Sequence, residues 1–99
     1  MELAEISVVK LEQMAGRLRA IAHPVRIAII ELLSHVDQLS VTEIYQRLDL
    51  EQAAASHHLN IMKNKGILKS RRAGKKIYYS LMSNTLSDII KCINTCKEL

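Results

Sequence analysis

Gln52, Ser56, Asn60 and Lys63 recur at spacings of four and three residues, with Ala53 and His57 alongside. On a helix this spacing gathers them into one stripe. Their chemistry is that of base-edge readout: Gln bonds adenine through two hydrogen bonds, Ser donates or accepts, and Ala meets a thymine methyl. Any amphipathic helix carries a polar stripe, so the stripe alone decides little. Its neighbour in sequence adds weight. Arg71, Arg72, Lys75 and Lys76 surround Gly74, and a cationic ribbon of that kind neutralises phosphates and probes the minor groove.

The charge is unevenly spread. From Gln52 to Ser87 there is no Asp or Glu, while Lys63, Lys65, Lys69, Arg71, Arg72, Lys75 and Lys76 give that segment +7. The seven remaining bases face all ten acids, so the rest of the chain is at −3. A one-sided cationic region is the footprint of a polyanion partner, although a basic face kept for solubility has the same composition. With no Trp, no Phe and only Tyr45, Tyr78 and Tyr79, the chain lacks the aromatic platforms of single-strand binders.

Other reactive residues are sparse. Cys92 and Cys96 are one helical turn apart. Their Cβ atoms would be about 5–6 Å apart, too far for an unstrained intrahelical disulfide. They read as small packing residues beside Ile89 and Ile93, as a candidate thiol switch, or as metal ligands. His23, before Pro24, is expected to cap a helix; His35 falls in a loop. His57 and His58, being adjacent, diverge by about 100° on a helix and cannot chelate one ion. His58 is expected to be partly buried. Arg26, inside an apolar helix, reads as a structural ion-pair partner. Met14, Met62 and Met82 read as core filler. No nucleophile with a neighbouring base, no carboxylate pair and no phosphate-cradling Gly loop can be assembled, so the sequence does not read as an enzyme.

The elements that must position these residues follow from periodicity. Leu3, Ile6, Val9, the Lys10 stem, Met14, Ala15 and Leu18 mark a helix over about 2–22. Pro24 opens a second, ending near Ser34, with Ile27, Ala28, Ile30, Leu32 and Leu33 apolar. Ser40-Val41-Thr42-Glu43 is a capping box and starts a short third helix with Val41, Ile44, Tyr45 and Leu48 inward. After a tight turn at 49–51, a fourth helix over 52–65 buries Ala55, Leu59 and Met62. Gly66 suits its left-handed terminus. Residues 67–72 and 76–81 alternate as strands around Ala73-Gly74-Lys75. Ser83 or Asn84 can cap a last helix carrying Leu86, Ile89, Ile90 and Ile93. The expected fold class is mainly α with a small β-hairpin, order ααααββα. Helices three and four form a helix-turn-helix and the ribbon makes it winged.

These residues resemble the ArsR (SmtB-type) family of winged-helix transcriptional repressors. The matching stretches are residues 22–33 (AHPVRIAIIELL), Ser56-His57-His58-Leu59, and residues 66–81 (GILKSRRAGKKIYYSL), within a likeness covering about 18–83. The resemblance implies a homodimer that binds double-stranded DNA at a palindromic operator and releases it on sensing a metal, metalloid or thiol-reactive ligand. It places Gln52, Ala53, Ser56 and His57 in the major groove and residues 72–76 in the wing. The family's usual sensing sites are not matched. Ser40-Val41-Thr42 stands where arsenic and cadmium sensors have Cys-Val-Cys, and hydroxyls do not replace thiolates for soft ions. Ser83 and Thr85 stand where zinc sensors have an Asp-x-His pair, and no His follows His58.

The expectation is therefore one domain over 1–99, with dimerisation helices at about 2–22 and 84–99. Its DNA-binding residues are Gln52, Ala53, Ser56, His57, Asn60, Lys63, Arg71, Arg72, Lys75 and Lys76. No cofactor and no resident metal is expected, and the inducer is unknown from sequence. Two other readings stay open: a thiol-responsive regulator acting through Cys92 and Cys96, and a winged helix used for protein–protein contact. No apolar run approaches the ~20 residues of a membrane span. The acidic start Met1-Glu2-Leu3-Ala4-Glu5 lacks the bases of a signal peptide, so a cytoplasmic protein is expected.

Overall fold

The first three helices begin where a polar side chain accepts from a first-turn amide group. The last two have no such side-chain cap at Glu51 or Asn84. In the computed structural model, which describes residues 7–96, the Ser7 hydroxyl accepts from Lys10 N–H at 3.1 Å and starts α1 (Val8–Ile21). His23 Nδ1 accepts from Val25 N–H at 3.1 Å and, with Pro24 in the first turn, starts α2 (Pro24–His35). The residue expected to cap does so. His35 is the last residue of α2 rather than a loop residue.

A two-residue strand, β1 (Leu39–Ser40), then leads into α3 (Val41–Arg47). The capping box forms in both directions: Glu43 N–H donates to Ser40 Oγ at 3.1 Å, and Ser40 N–H donates to Glu43 Oε1 at 3.0 Å. The backbone N–H of Ser40, and then its hydroxyl, hold the Glu43 carboxyl below the usual carboxylate range. Asp49, at φ +52, makes the tight turn into α4 (Gln52–Asn64); Asp is among the few side chains that tolerate that conformation. At the far end Gly66 takes φ +74. Its N–H reaches the Lys63 carbonyl at 3.0 Å and Ile67 N–H reaches that of Met62 at 2.9 Å, the paired bonds of a Schellman cap.

The ribbon is β2 (Leu68–Ala73) and β3 (Lys76–Leu81), in antiparallel register from Leu68 opposite Leu81 to Ala73 opposite Lys76. Ala73 is thus the last strand residue and the turn is only Gly74-Lys75. Gly74 supplies the positive φ (+63) that a two-residue hairpin turn needs. The expected order ααααββα is incomplete: β1 pairs with β3, Leu39 opposite Tyr79 and Ser40 opposite Tyr78, giving a three-stranded sheet β1-β3-β2. α5 (Thr85–Thr95) follows and packs on α2.

The core lies between α2, α3, α4 and the inner face of the sheet. Ile29, Ile30, Ile44, Leu59, Met62 and Leu68 are fully buried, joined by Leu33, Leu39, Ile67 and Tyr79. Burial raises the Tyr79 phenol above its ordinary range. Two sequence expectations are corrected here. Ile27 faces outward and Ile29 takes the inner position of α2. Of Met14, Met62 and Met82, Met62 fills the core, while Met14 and Met82 lie on the surface. Leu3 and Ile6, and the parts of the flanking helices expected at 2–6 and 97–99, lie outside the described residues.

Candidate nucleic-acid interface

Burial of Ala55, Leu59 and Met62 fixes the rotation of α4, because their side chains occupy one stripe. The opposite stripe must then face out. Gln52, Ala53, Ser56, His57, Asn60 and Lys63 are all exposed. Nothing acidic interrupts them, since the nearest carboxylates in sequence are Glu51 and Asp88.

The wing cations Arg71, Arg72, Lys75 and Lys76 are also exposed, but they do not share one face. Directly paired residues point to the same side of a sheet. Arg72, opposite Ile77, lies on the side of Tyr79 and the core; Arg71, opposite Tyr78, and Lys76, opposite Ala73, lie on the other. Lys75 sits in the turn. The ribbon is cationic on both sides and at its tip. Arg71 is partly engaged: its Nη2 donates to Gln38 Oε1 at 3.2 Å, and its guanidinium lies 5.4 Å from the Tyr78 ring centroid. This arginine braces the wing against the α2–β1 loop.

A groove joins helix to wing. It is lined by Thr42 from α3, by Gln52 and Ser56 from α4, and by Lys75, Lys76 and Ile77 from the ribbon. Segments some twenty residues apart in sequence thus present polar and cationic groups to one open face. Thr42 was not singled out in the sequence, although its place in the first turn after the capping box, opposite inward Ile44, could have suggested it.

Behind α4 lies a polar clamp of a different kind from the expected ion pair. Arg26 Nε donates to His58 Nδ1 at 3.1 Å, and Arg26 Nη1 donates to the Ala20 carbonyl at 3.1 Å. The His23 and His58 ring centroids are 4.7 Å apart, and those of His57 and His58 5.8 Å. His58 is half-buried, as expected. Burial first, then His23, Arg26 and His57, push its imidazole below the ordinary value. Among the described residues, no three His, Cys, Asp or Glu side chains converge as a metal site would require. Cys92 and Cys96 are both exposed, so neither packs into the core of the chain. No helix among the described residues is long and apolar enough to cross a membrane.

Comparison with known proteins gives the following. Residues 21–71 match the model of a helix-turn-helix domain. The transcriptional repressor PagR of Bacillus anthracis is 40% identical over 90 residues, covering 91% of this chain and 90% of PagR. Its crystal structure superposes with a TM-score of 0.78 over 88% of this chain and 99% of that one, at 39% identity. A transcriptional repressor SmtB homolog of Synechocystis is 29% identical over 86 residues, 87% of this chain and 64% of the relative. The homodimeric winged helix-turn-helix DNA-binding domain Mb0332 of Mycobacterium bovis, a possible ArsR-family transcriptional regulator, has a TM-score of 0.78 at 22% identity. That likeness spans 95% of this chain and 83% of the other, and it speaks for the fold alone.

Proposed function

The chain belongs to the ArsR (SmtB-type) family of winged helix-turn-helix transcriptional regulators, and on that premise we propose that it is a homodimeric repressor of a palindromic operator. It is a DNA-binding regulator, and the division of labour among its residues is our reading. α4 lies in the major groove, with Gln52, Ala53, Ser56 and His57 at base edges and Asn60 and Lys63 further along. Arg72, Lys75 and Lys76 neutralise phosphates beside it, with Arg71 holding the ribbon in position. The observation that carries this reading is the single open face on which Gln52 and Ser56 meet Lys75 and Lys76.

The dimer is supported by the flanking helices. Val8, Val9, Leu11, Met14 and Leu18 on α1 and Ile89 and Ile93 on α5 are exposed, and an apolar surface of that extent marks an interaction site. Pairing these helices about a two-fold axis would set the two α4 helices about one DNA turn apart, ~34 Å. In this reading residues 1–99 are one DNA-binding domain with its dimerisation helices. Input is read through Cys92 on α5 and Cys96 just past its end, both exposed in the single chain, where oxidant or a thiol-reactive ligand would act at the edge of the dimer helices.

Selection of bound sequences from a random duplex pool tests the reading. Enrichment of an inverted repeat with half-sites about one turn apart is the expected result; no enrichment over the starting pool overturns it.

A further inference from the structure

The clamp behind α4 has no part in the division of labour so far. Arg26 joins three elements at this point: it belongs to α2, bonds His58 on α4, and bonds the Ala20 carbonyl in the last turn of α1. Both bonds come from one planar guanidinium, whose donors have fixed relative directions. Displacing either acceptor therefore loosens the other.

His58 accepts through Nδ1, so that nitrogen carries no proton. A doubly protonated ring has a donor on both nitrogens. Protonation would set an N–H of His58 against the N–H of Arg26, and a cation against a cation. No neighbour offsets this. The groups acting on the ring are His23, just ahead of α2, Arg26 in α2 and His57 on α4 itself; all are bases. From α1, α3 and β2, which also pack on α4, no charged group among the described residues acts on it. His23 cannot rotate freely to accept the new donor, because its own Nδ1 caps α2 through Val25 N–H.

We infer that Arg26 and His58 are positioning residues for DNA reading: their clamp holds α4 against the α1–α2 junction only while the His58 ring is neutral, so operator binding weakens on acidification. This rests on the reading of α4 as the DNA-contacting helix. Burial and the surrounding bases keep His58 unprotonated near neutrality. His57, its neighbour on α4, is a second imidazole on the exposed side of the helix, and any test must hold it constant.

His58→Asn does so, because the amide oxygen can accept from Arg26 and takes no proton, while His57 is kept. Operator affinity is measured for wild type and His58→Asn at constant ionic strength, about one pH unit above and one below the ordinary imidazole value. On acidification the wild type should lose at least about fivefold more affinity than the variant, the low end of ordinary coupling between sites. Parallel profiles would overturn the inference. In a second arm, the His58 titration is followed by imidazole NMR in wild type and Arg26→Met. The midpoint should rise in the variant, and an unchanged midpoint would overturn the clamp. Should Arg26→Met fail to fold, Arg26→Lys replaces it: one point charge cannot bond His58 and Ala20 in fork geometry, so operator affinity should fall even above the imidazole range, and unchanged affinity would count against positioning. If wild type binds no duplex, the repressor reading fails and the NMR arm alone decides the clamp.

Discussion

Along α4, Ala55, Leu59 and Met62 are completely buried and every outward residue from Gln52 to Lys63 is polar or small; along α1 and α5 the outward residues include Val8 at 69% exposure, Leu18 at 50% and Ile93 at 56%. The two regions obey the same helical period with opposite outcomes. α4 buries Ala55, Leu59 and Met62 in its own chain and leaves Ile61 partly exposed beside a polar face, so that face is available for a hydrated, charged partner. α1 and α5 keep apolar surface in water, where each half-exposed Leu- or Ile-sized side chain forgoes about half of the 1.5–3 kcal/mol of full burial. The first region is finished in one chain and the second is not.

Breaking the unfinished region should have the largest effect. Leu18→Glu with Ile93→Glu removes two such half-exposed side chains per protomer, or about 3–6 kcal/mol across a two-fold interface. Sedimentation equilibrium should show a monomer, and operator binding should fall to the level of random duplex. A dimer of undiminished affinity would move the interface elsewhere. Leu59→Ala attacks the finished region instead. It should cost about 2–5 kcal/mol of stability in denaturant unfolding while the chain stays dimeric where folded.

The polar face of α4 and the wing should separate more finely. Gln52→Ala is expected to cost about 1–3 kcal/mol at one base position, with little change on random DNA. Lys75→Glu with Lys76→Glu should weaken binding to every duplex and flatten its salt dependence. The smallest effect is a pH slope of stability. The folded-state value of His58 is depressed, so below the ordinary 6.5 the unfolded chain takes up a proton that the folded chain refuses. Stability is then lost as pH falls from about 6.5 toward the folded-state value, and thermal unfolding of His58→Asn should show a shallower decline over that range.

Much of this contrast was legible in the residues. The three-and-four spacing of Ala55, Leu59 and Met62 defined the inner face of α4 and hence its outer one, and the Ser40–Glu43 box and Gly66 marked helix ends that the structure confirms to the residue. Local signals of this kind need no knowledge of the rest of the chain. What escaped depends on partners distant in sequence. β1 is two residues long and exists because β3 offers it an edge, so no periodicity could reveal it. Arg26 meets His58 across 32 positions and Arg71 meets Gln38 across 33; neither acceptor is charged, so charge pattern gave no hint. Ile27 and Ile29 are interchangeable by composition, and which of them is buried is settled by how α2 packs against the distant α4, β3 and α5.

The salt dependence of binding tests the central claim most directly. Affinity of the wild-type protein is measured across a salt series on its selected operator and on a random duplex, together with the Lys75→Glu, Lys76→Glu variant. Each phosphate neutralised adds about −0.9 to the slope of log K against log salt. The account predicts steep slopes on both duplexes, tighter binding to the operator at every salt concentration, and a shallower slope on both for the variant. Equal affinity for operator and random duplex, or a slope that the two wing substitutions leave unchanged, would contradict it.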